Sequence, residues 1–352
     1  MKRKLTFIAV LFLTGCLLLE AGSCVLMKTN VLHGEMPTFS WNRQGTSFFR
    51  DVPAQWATWH EPNSSSRHVL TCADLRYQFN AEGMRDRPRE RQGSPSRVVV
   101  LGDSFIEGWG AQEADRLTNL LESAKGKEFL NFGTSGSFGP LQFYLIYDHL
   151  AKFFAHESVL VGIFPANDFD DDDYKHWMEK GRRRPFWVGQ APNFSLAYSQ
   201  VKSKTFFQRY LRPFFKEFSY FYNAAEDLYD GLTHRAHNKK ARVSSRFYDF
   251  TEEEWQRMLF SLQKLREASQ GKKLTLMLIP MIADLKRYDQ DGKSPLASKL
   301  EAWGEGRDVV VIDLLPWLHD YQKDWMAYSL PCDGHWSAQG HRAVFELVQK
   351  YF

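Results

Sequence analysis

The chain has 352 residues, of which 43% are apolar and 15% aromatic, and this composition is sufficient for a sizeable hydrophobic core. Its 45 Lys and Arg residues against 42 Asp and Glu residues give a net charge of +3. This near balance argues against a nucleic-acid partner and against a disordered acidic chain. The length allows one elaborated domain or two smaller ones.

The N-terminus has the pattern of an export or anchoring signal. Lys2, Arg3 and Lys4 precede an apolar run from Leu5 to Leu19, which is about five residues shorter than the roughly 20 that span a bilayer. The end of the run resembles a bacterial lipoprotein box, with Cys16 as the lipid attachment site. We expect residues 1–27 to be a retained anchor, by lipid on Cys16 or as an uncleaved helix; a cleaved signal is the alternative. In either case the rest of the chain lies outside the cytoplasm.

Two of the four cysteines, Cys72 and Cys332, lie outside this leader. An even pair in an oxidising compartment predicts a disulfide, and two unpaired buried thiols are the alternative. No close spacing of cysteine and histidine typical of a zinc site is found, so we expect no metal and no cofactor.

Residues 28–96 are rich in Trp, Pro, Ser, Arg and Asn without a sustained period, and predict an irregular extension. The pattern then changes to strand-like apolar runs alternating with helical patterns, such as those around Leu117, Leu141 and Trp255. Such alternation is typical of a parallel sheet covered on both faces, so we predict an α/β domain over 97–352. The apolar runs cover 97–101, 128–132, 158–164, 274–279 and 308–313.

Between the third and fourth runs, residues 169–250 are dense in aromatics and arginines. A loop this long is improbable without structure of its own, so we predict an inserted, mostly helical subdomain. Its acidic start, FDDDDY at 169–174, lacks the alternating ligand spacing of a calcium loop and predicts a solvated loop.

Two blocks that follow the first two runs carry candidate chemistry. GDSF at 102–105 presents Ser104 as a nucleophile, which needs a base and oxyanion donors, although a helix N-cap explains the serine as well. We expect Asp103 to steady this turn. NFGTSGSFG at 131–139 presents the backbone N–H of Gly136 as an oxyanion donor, with a tight turn of small residues as the alternative.

Two further blocks complete the set. In FPANDF at 164–169 the amide of Asn167 can donate to an oxyanion, and Asp168 can accept backbone N–H bonds. In PCDGHWSAQGH at 331–341, His335 is a candidate general base with Asp333 as its orienting acid. Ser337 is expected to cap the last helix, which leaves His341 as the weaker base. All four blocks fall at strand ends or in the last loop, where one active site can form.

In this order the blocks resemble those of the SGNH or GDSL-type hydrolases: Ser104 in GDSF, Gly136 in NFGTSG, Asn167 in PAND and His335 in DGHW. The resemblance covers about 95–352. It implies a three-layer α/β/α sandwich with a five-stranded parallel sheet, with Ser104 as nucleophile and His335 as base. It also implies an oxyanion hole formed by Ser104, Gly136 and Asn167.

Most members of that family place the acid three residues before the histidine, where this chain has Cys332. The acid here stands two residues before, at Asp333, in a D-x-H-W form that resembles alginate O-acetyltransferases and related exported proteins. We therefore expect an extracytoplasmic serine esterase that removes an O-acyl group, with acetyl favoured, from a glycan. An O-acyltransferase is the first alternative, and a non-catalytic glycan-binding module on the same fold is the second.

Overall fold

A computed structural model of the chain describes residues 2–32, 35–39, 49–52, 55–94, 96–135, 137–175, 183–200, 203, 205–233, 245–320 and 325–352. The strands, in chain order, are β1 Phe49–Val52, β2 Ala57–His60, β3 Ser64–Leu70, β4 Ala73–Phe79, β5 Arg97–Gly102, β6 Glu128–Gly133, β7 Ser158–Ile163, β8 Pro185–Gln190, β9 Asn193–Tyr198, β10 Lys273–Leu278 and β11 Val309–Asp313.

The helices include one long N-terminal helix and a set that surrounds the strands. They are α1 Lys2–Lys28, α2 Ser104–Glu107, α3 Leu117–Lys125, α4 Pro140–His149, α5 Pro165–Asp171, α6 Arg212–Phe218, α7 Tyr220–Thr233, α8 Glu252–Ala268, α9 Ile282–Asp291, α10 Pro295–Gly304, α11 Leu314–Asp320, α12 Trp325–Tyr328 and α13 Ala338–Val348.

A five-stranded parallel sheet flanked by helices forms the core, in the order β11-β10-β7-β5-β6. Each of its strands lies within one or two residues of an apolar run predicted from the sequence, because a strand buried on both faces is apolar along its whole length. Helix α3 packs against α13, and α4 packs against α8. Gly102 at the end of β5 pairs with Gly133 at the end of β6, so both strands end at the same edge of the sheet.

The extension before the sheet is more ordered than the sequence analysis predicted. It contains two antiparallel hairpins, β1–β2 and β3–β4. In β4 the buried side chains of Leu75, Tyr77 and Phe79 alternate with exposed polar ones, the period-two pattern of a half-buried strand. The prediction of an irregular segment was wrong here, because a seven-residue alternation is short against the Pro- and Ser-rich composition around it.

The insertion contains helices, as predicted, and also the β8–β9 hairpin. A π-helical turn, Phe207–Leu211, leads directly into α6. The acidic run at its start is not the solvated loop expected from the sequence. Asp171 closes helix α5, and both Asp171 and Asp172 are buried.

Candidate active site

The turn after β5 places Ser104 at the edge of the sheet. Asp103 is the N-cap of the four-residue helix α2, since its Oδ1 accepts a hydrogen bond from the backbone N–H of Phe105 at 3.0 Å. Gly108 follows the last helical residue as the C-cap of α2, and its left-handed φ of 82° favours glycine. Ser104 is therefore the first helical residue and not the cap, and Asp103 steadies the turn.

Helix α2 lies unusually close to the end of β6. A Cβ atom at Gly133 would come within 2.3 Å of the backbone nitrogen of Glu107, which is closer than real Cβ contacts allow. The glycine that follows the second apolar run therefore lets α2 pack directly on the sheet.

Three residues predicted from the sequence meet at this edge. His335 Nε2 lies 2.7 Å from Ser104 Oγ, and Asp333 Oδ2 lies 3.1 Å from His335 Nδ1. The second carboxylate oxygen, Oδ1, accepts the backbone N–H of His335 at 3.0 Å. The side chains of His335 and Asp333 are 24% and 23% exposed. This arrangement has the geometry of a serine nucleophile, a base and an orienting acid.

The Asp333 carboxylate is held in its charged form. Burial alone would raise its pKa, but the hydrogen bonds and charge of His335, together with the indole of Trp109, lower the pKa below its ordinary value. A carboxylate that stays ionised can stabilise an imidazolium on His335 during proton transfer.

Trp109 is a site residue that sequence reasoning missed. Its indole N–H donates to Asp333 Oδ2 at 2.6 Å, and its ring contacts the buried ring of His68 at a centroid distance of 4.1 Å. A tryptophan just after a short helix gives no signal of this role, because the partner carboxylate lies 224 positions away.

The N-terminal extension is bonded to the loop that carries Asp333 and His335. Cys72, in the turn of the β3–β4 hairpin, forms a disulfide with Cys332, with a Cα–Cα distance of 5.7 Å. From the same hairpin, the hydroxyl of Tyr77 accepts the backbone N–H of Gly110 at 2.8 Å. The hairpin thus contacts both the loop of the acid and the segment after α2.

Gly136 lies outside the described residues, but the residues on either side of it are fixed. The backbone N–H of Ser135 donates to Glu107 Oε2 at 2.5 Å, and the guanidinium of Arg184 donates to the carbonyl of Ser137. Neither Glu107 nor Arg184 stands out in the sequence, because both act here on backbone atoms.

Glu107 is a buried charge with nearby partners. Burial alone would raise its pKa, but His60 at 3.2 Å and Arg85 outweigh that effect and lower the pKa to about 2. Arg85 also donates to the backbone carbonyls of Glu107 and Gly108. The turn before Gly136 is thus held by an ionised carboxylate that the extension supports, because both His60 and Arg85 belong to it.

Asn167 lies in the first turn of α5, beside Asp103. Its Nδ2 is 3.5 Å from Asp103 Oδ2, a long hydrogen bond. As predicted, Asp168 fixes this loop by accepting the backbone N–H of Phe164 at 2.8 Å. Burial raises the pKa of Asp103 to about 6 and raises that of Asp168 well above its ordinary value.

The remaining candidates lie outside this site. His341 is buried, its Nδ1 accepts the backbone N–H of Leu117 at 3.3 Å, and burial lowers its pKa to about 3. Ser337 caps α13 through the N–H of Gly340, as expected. Cys16 is an exposed thiol on α1.

No family model matches the chain, and no curated protein matches it. Solved structures with a similar fold include a lipolytic protein of the G-D-S-L family from Veillonella parvula, with 11% identity over 73% of this chain and 98% of that one and a TM-score of 0.38. A lipase/acylhydrolase from Enterococcus faecalis shows 12% identity over 73% and 94% of the two chains, with a TM-score of 0.38.

A family two carbohydrate esterase from Clostridium thermocellum, solved with cellohexaose, shows 11% identity over 78% of this chain and 66% of that one, with a TM-score of 0.35.

Proposed function

We propose that the protein is an SGNH-type ester hydrolase with Ser104 as its nucleophile. The observation that carries the proposal is the 2.7 Å contact between Ser104 Oγ and His335 Nε2, with Asp333 on the other side of the imidazole. A non-catalytic binding module has no need of a serine aligned with a base and an orienting acid, so this contact favours an enzyme.

In the acylation step, Ser104 Oγ attacks the ester carbonyl while His335 Nε2 takes its proton. The tetrahedral intermediate carries a negative charge on the former carbonyl oxygen. The backbone N–H groups of Ser104 and Gly136 and the amide of Asn167 are the proposed donors to that oxyanion. An amide nitrogen has two hydrogens, so Asn167 can contact Asp103 with one and substrate with the other.

The intermediate then collapses, the alkoxy group leaves, and His335 returns the proton to it as an alcohol. A water molecule, deprotonated by the same imidazole, attacks the acyl group on Ser104 and releases the carboxylic acid. Asp333 holds the imidazolium in both half-reactions.

The proposed substrate is an O-acylated glycan, with acetyl as the acyl group, outside the cytoplasm. Helix α1 supports this location, since Arg3–Lys28 is long and apolar enough to cross a membrane, with a mean hydropathy of 2.1 and no burial in its most apolar window. We propose that α1 is a retained membrane anchor.

An O-acyltransferase is the second candidate, because the acid precedes the base by two residues, as in the D-x-H-W form. In that reaction a sugar hydroxyl replaces water in the second half-reaction. The groups on the protein are the same, so a product assay distinguishes the two.

The test uses purified full-length protein in detergent with an acetylated glucan oligosaccharide, with and without an unacetylated acceptor. Acetate release that is lost in Ser104→Ala supports the hydrolase. Acetylated acceptor in place of acetate would assign the transferase. Turnover that persists in Ser104→Ala would overturn both.

A further inference from the structure

The inserted helices turn their apolar face outward. In α7 the exposed residues Phe221, Leu228, Tyr229 and Leu232 follow the spacing i, i+7, i+8, i+11, which is one face of a helix. The opposite side of α7 carries the half-buried Glu226, which pairs with Arg212 and Lys216 of α6 at 2.8 and 2.9 Å. A helix of a water-soluble domain has the opposite arrangement.

The preceding helical segment also exposes large apolar side chains. Phe206 is 69% exposed and Tyr229 is 66% exposed, although both are large aromatics. We call the exposed side chains of the two segments together the outer face: Phe206, Phe207, Tyr210, Phe214, Phe221, Leu228, Tyr229 and Leu232. Clustering of exposed large apolar side chains marks a contact with a partner or a membrane.

The outer face is attached to the proposed membrane anchor. Glu20 of α1 caps the N-terminus of α7, since its carboxylate accepts the Ser219 hydroxyl at 2.8 Å and the backbone N–H groups of Tyr220 and Phe221 at 2.6 and 3.1 Å. On the same α1 segment, Ser23 and Met27 are buried. The inserted helices therefore meet α1 through its C-terminal part.

The position of Glu20 along α1 determines how deep in the membrane this contact lies. The apolar run Leu5–Leu19 is about 22 Å long at 1.5 Å per residue, compared with about 30 Å for the hydrocarbon core. Glu20 follows directly after the run, at the end away from Lys2, Arg3 and Lys4. The helices bound to it thus lie near the boundary between hydrocarbon and headgroups on that side of the membrane.

We propose that the outer face rests on the phospholipid bilayer beside α1, as a second membrane contact of the chain; this inference rests on the proposed anchor. Aromatics and bases are the residues that favour the interface, and Arg209, Arg212 and Lys216 lie among the aromatics of the outer face. Because α1 already brings this surface to the headgroup level, the bilayer is the nearest apolar environment for it.

The test is photocrosslinking of the full-length protein in phosphatidylcholine nanodiscs that contain a lipid with a diazirine near the carbonyl end of its acyl chain. Mass spectrometry of the digest should find lipid adducts both on 5–19 and on 206–232. The β8–β9 hairpin, in the same insertion and with Val188 and Leu196 exposed, should carry none.

Two matched double variants sharpen the test. Leu228→Glu with Tyr229→Glu should reduce adducts on 221–232 at least tenfold and leave those on 5–19 unchanged. Val188→Glu with Leu196→Glu should change neither. Hydrolysis of an aryl acetate, recorded on the same samples, reports the serine chemistry separately.

Adducts on 5–19 without any on 206–232 would overturn the inference and leave the anchor standing. Crosslinks between two protein chains at 206–232, in place of lipid adducts, would also overturn it. Absence of adducts from 5–19 would overturn the anchor and this inference together. None of these three outcomes bears on the role of Ser104.

Discussion

The indole N–H of Trp109 donates to Asp333 Oδ2 at 2.6 Å, and the same oxygen lies 3.1 Å from Nδ1 of His335. One carboxylate oxygen is thus shared between the proposed base and a tryptophan that follows the nucleophile by five residues. This sharing fixes the direction of the carboxylate and also draws part of its charge away from the imidazole.

We expect Trp109→Phe to lower kcat about tenfold, equivalent to about 1.4 kcal/mol, because the carboxylate loses the donor that fixes its direction towards the imidazole. Asp333 would then interact more strongly with protonated His335. The acid limb of the kcat/KM profile should therefore shift to higher pH. The pH dependence of aryl acetate hydrolysis provides the measurement.

Trp187→Phe is the matched control. Trp187 lies in the β8–β9 hairpin, and its buried indole N–H donates to Ser261 Oγ at 2.8 Å. The substitution should leave the profile unchanged. A Trp109→Phe enzyme with a lower kcat and an unshifted profile would show that the indole acts only through packing.

Asn167→Ala tests the proposed oxyanion hole. Loss of one such donor typically reduces kcat by about 10²–10³, or roughly 3–4 kcal/mol, with little change in KM. The comparison variant is Asn193→Ala, at the exposed turn of the β8–β9 hairpin. An unchanged kcat in Asn167→Ala would show that its amide does not contact the oxyanion.

Cys72→Ser removes the bond between the extension and the loop of Asp333 and His335. We expect a lower thermal midpoint, because loss of a native disulfide that closes a long loop costs roughly 2–5 kcal/mol. Hydrogen exchange in residues 330–336 should become faster, and kcat/KM should fall. Cys16→Ser removes an exposed thiol and serves as the control; equal exchange rates in the two variants would refute this role of the bond.

Asp172→Asn tests the buried acidic end of α5. Burial raises the pKa of Asp172 to about 7 from an ordinary value near 4. Between about pH 4 and pH 7 the carboxyl group is therefore protonated in the folded state and ionised in the unfolded state. Wild-type stability from this group is present below about pH 4 and is lost as the pH rises towards 7.

The asparagine has no such titration, and it can still accept the backbone N–H of Leu141, which Asp172 accepts at 3.1 Å. The free energy of unfolding of Asp172→Asn, relative to wild type, should therefore increase between about pH 4 and 7, by up to about 1.4 kcal/mol per pH unit. Urea denaturation at four pH values measures this difference. A difference that is constant with pH would contradict the raised pKa.

The sheet could be predicted because each of its strands is a continuous apolar run. The positions of Ser104 and Asn167 followed from where two of those runs end, and that of His335 from the DGHW block before the last helix. The supporting residues could not be predicted in the same way. His60, Arg85 and Arg184 are ordinary polar residues in segments of mixed composition, and their partners are backbone or side-chain atoms far away in the sequence. The hairpin that carries Cys72 was missed because its alternation spans only seven residues.

The proposed chemistry requires that His335 activates Ser104. Labelling of the full-length protein with a fluorophosphonate probe, mapped by peptide mass spectrometry, tests it most directly. We expect one adduct on Ser104, formed at least about 10² times more slowly in His335→Ala, the range expected for loss of a general base. His319→Ala disrupts another His–Asp pair, with Asp289 at 2.6 Å, and should label at the wild-type rate. Absence of an adduct on Ser104, or labelling at an equal rate in His335→Ala, would show that His335 does not activate Ser104.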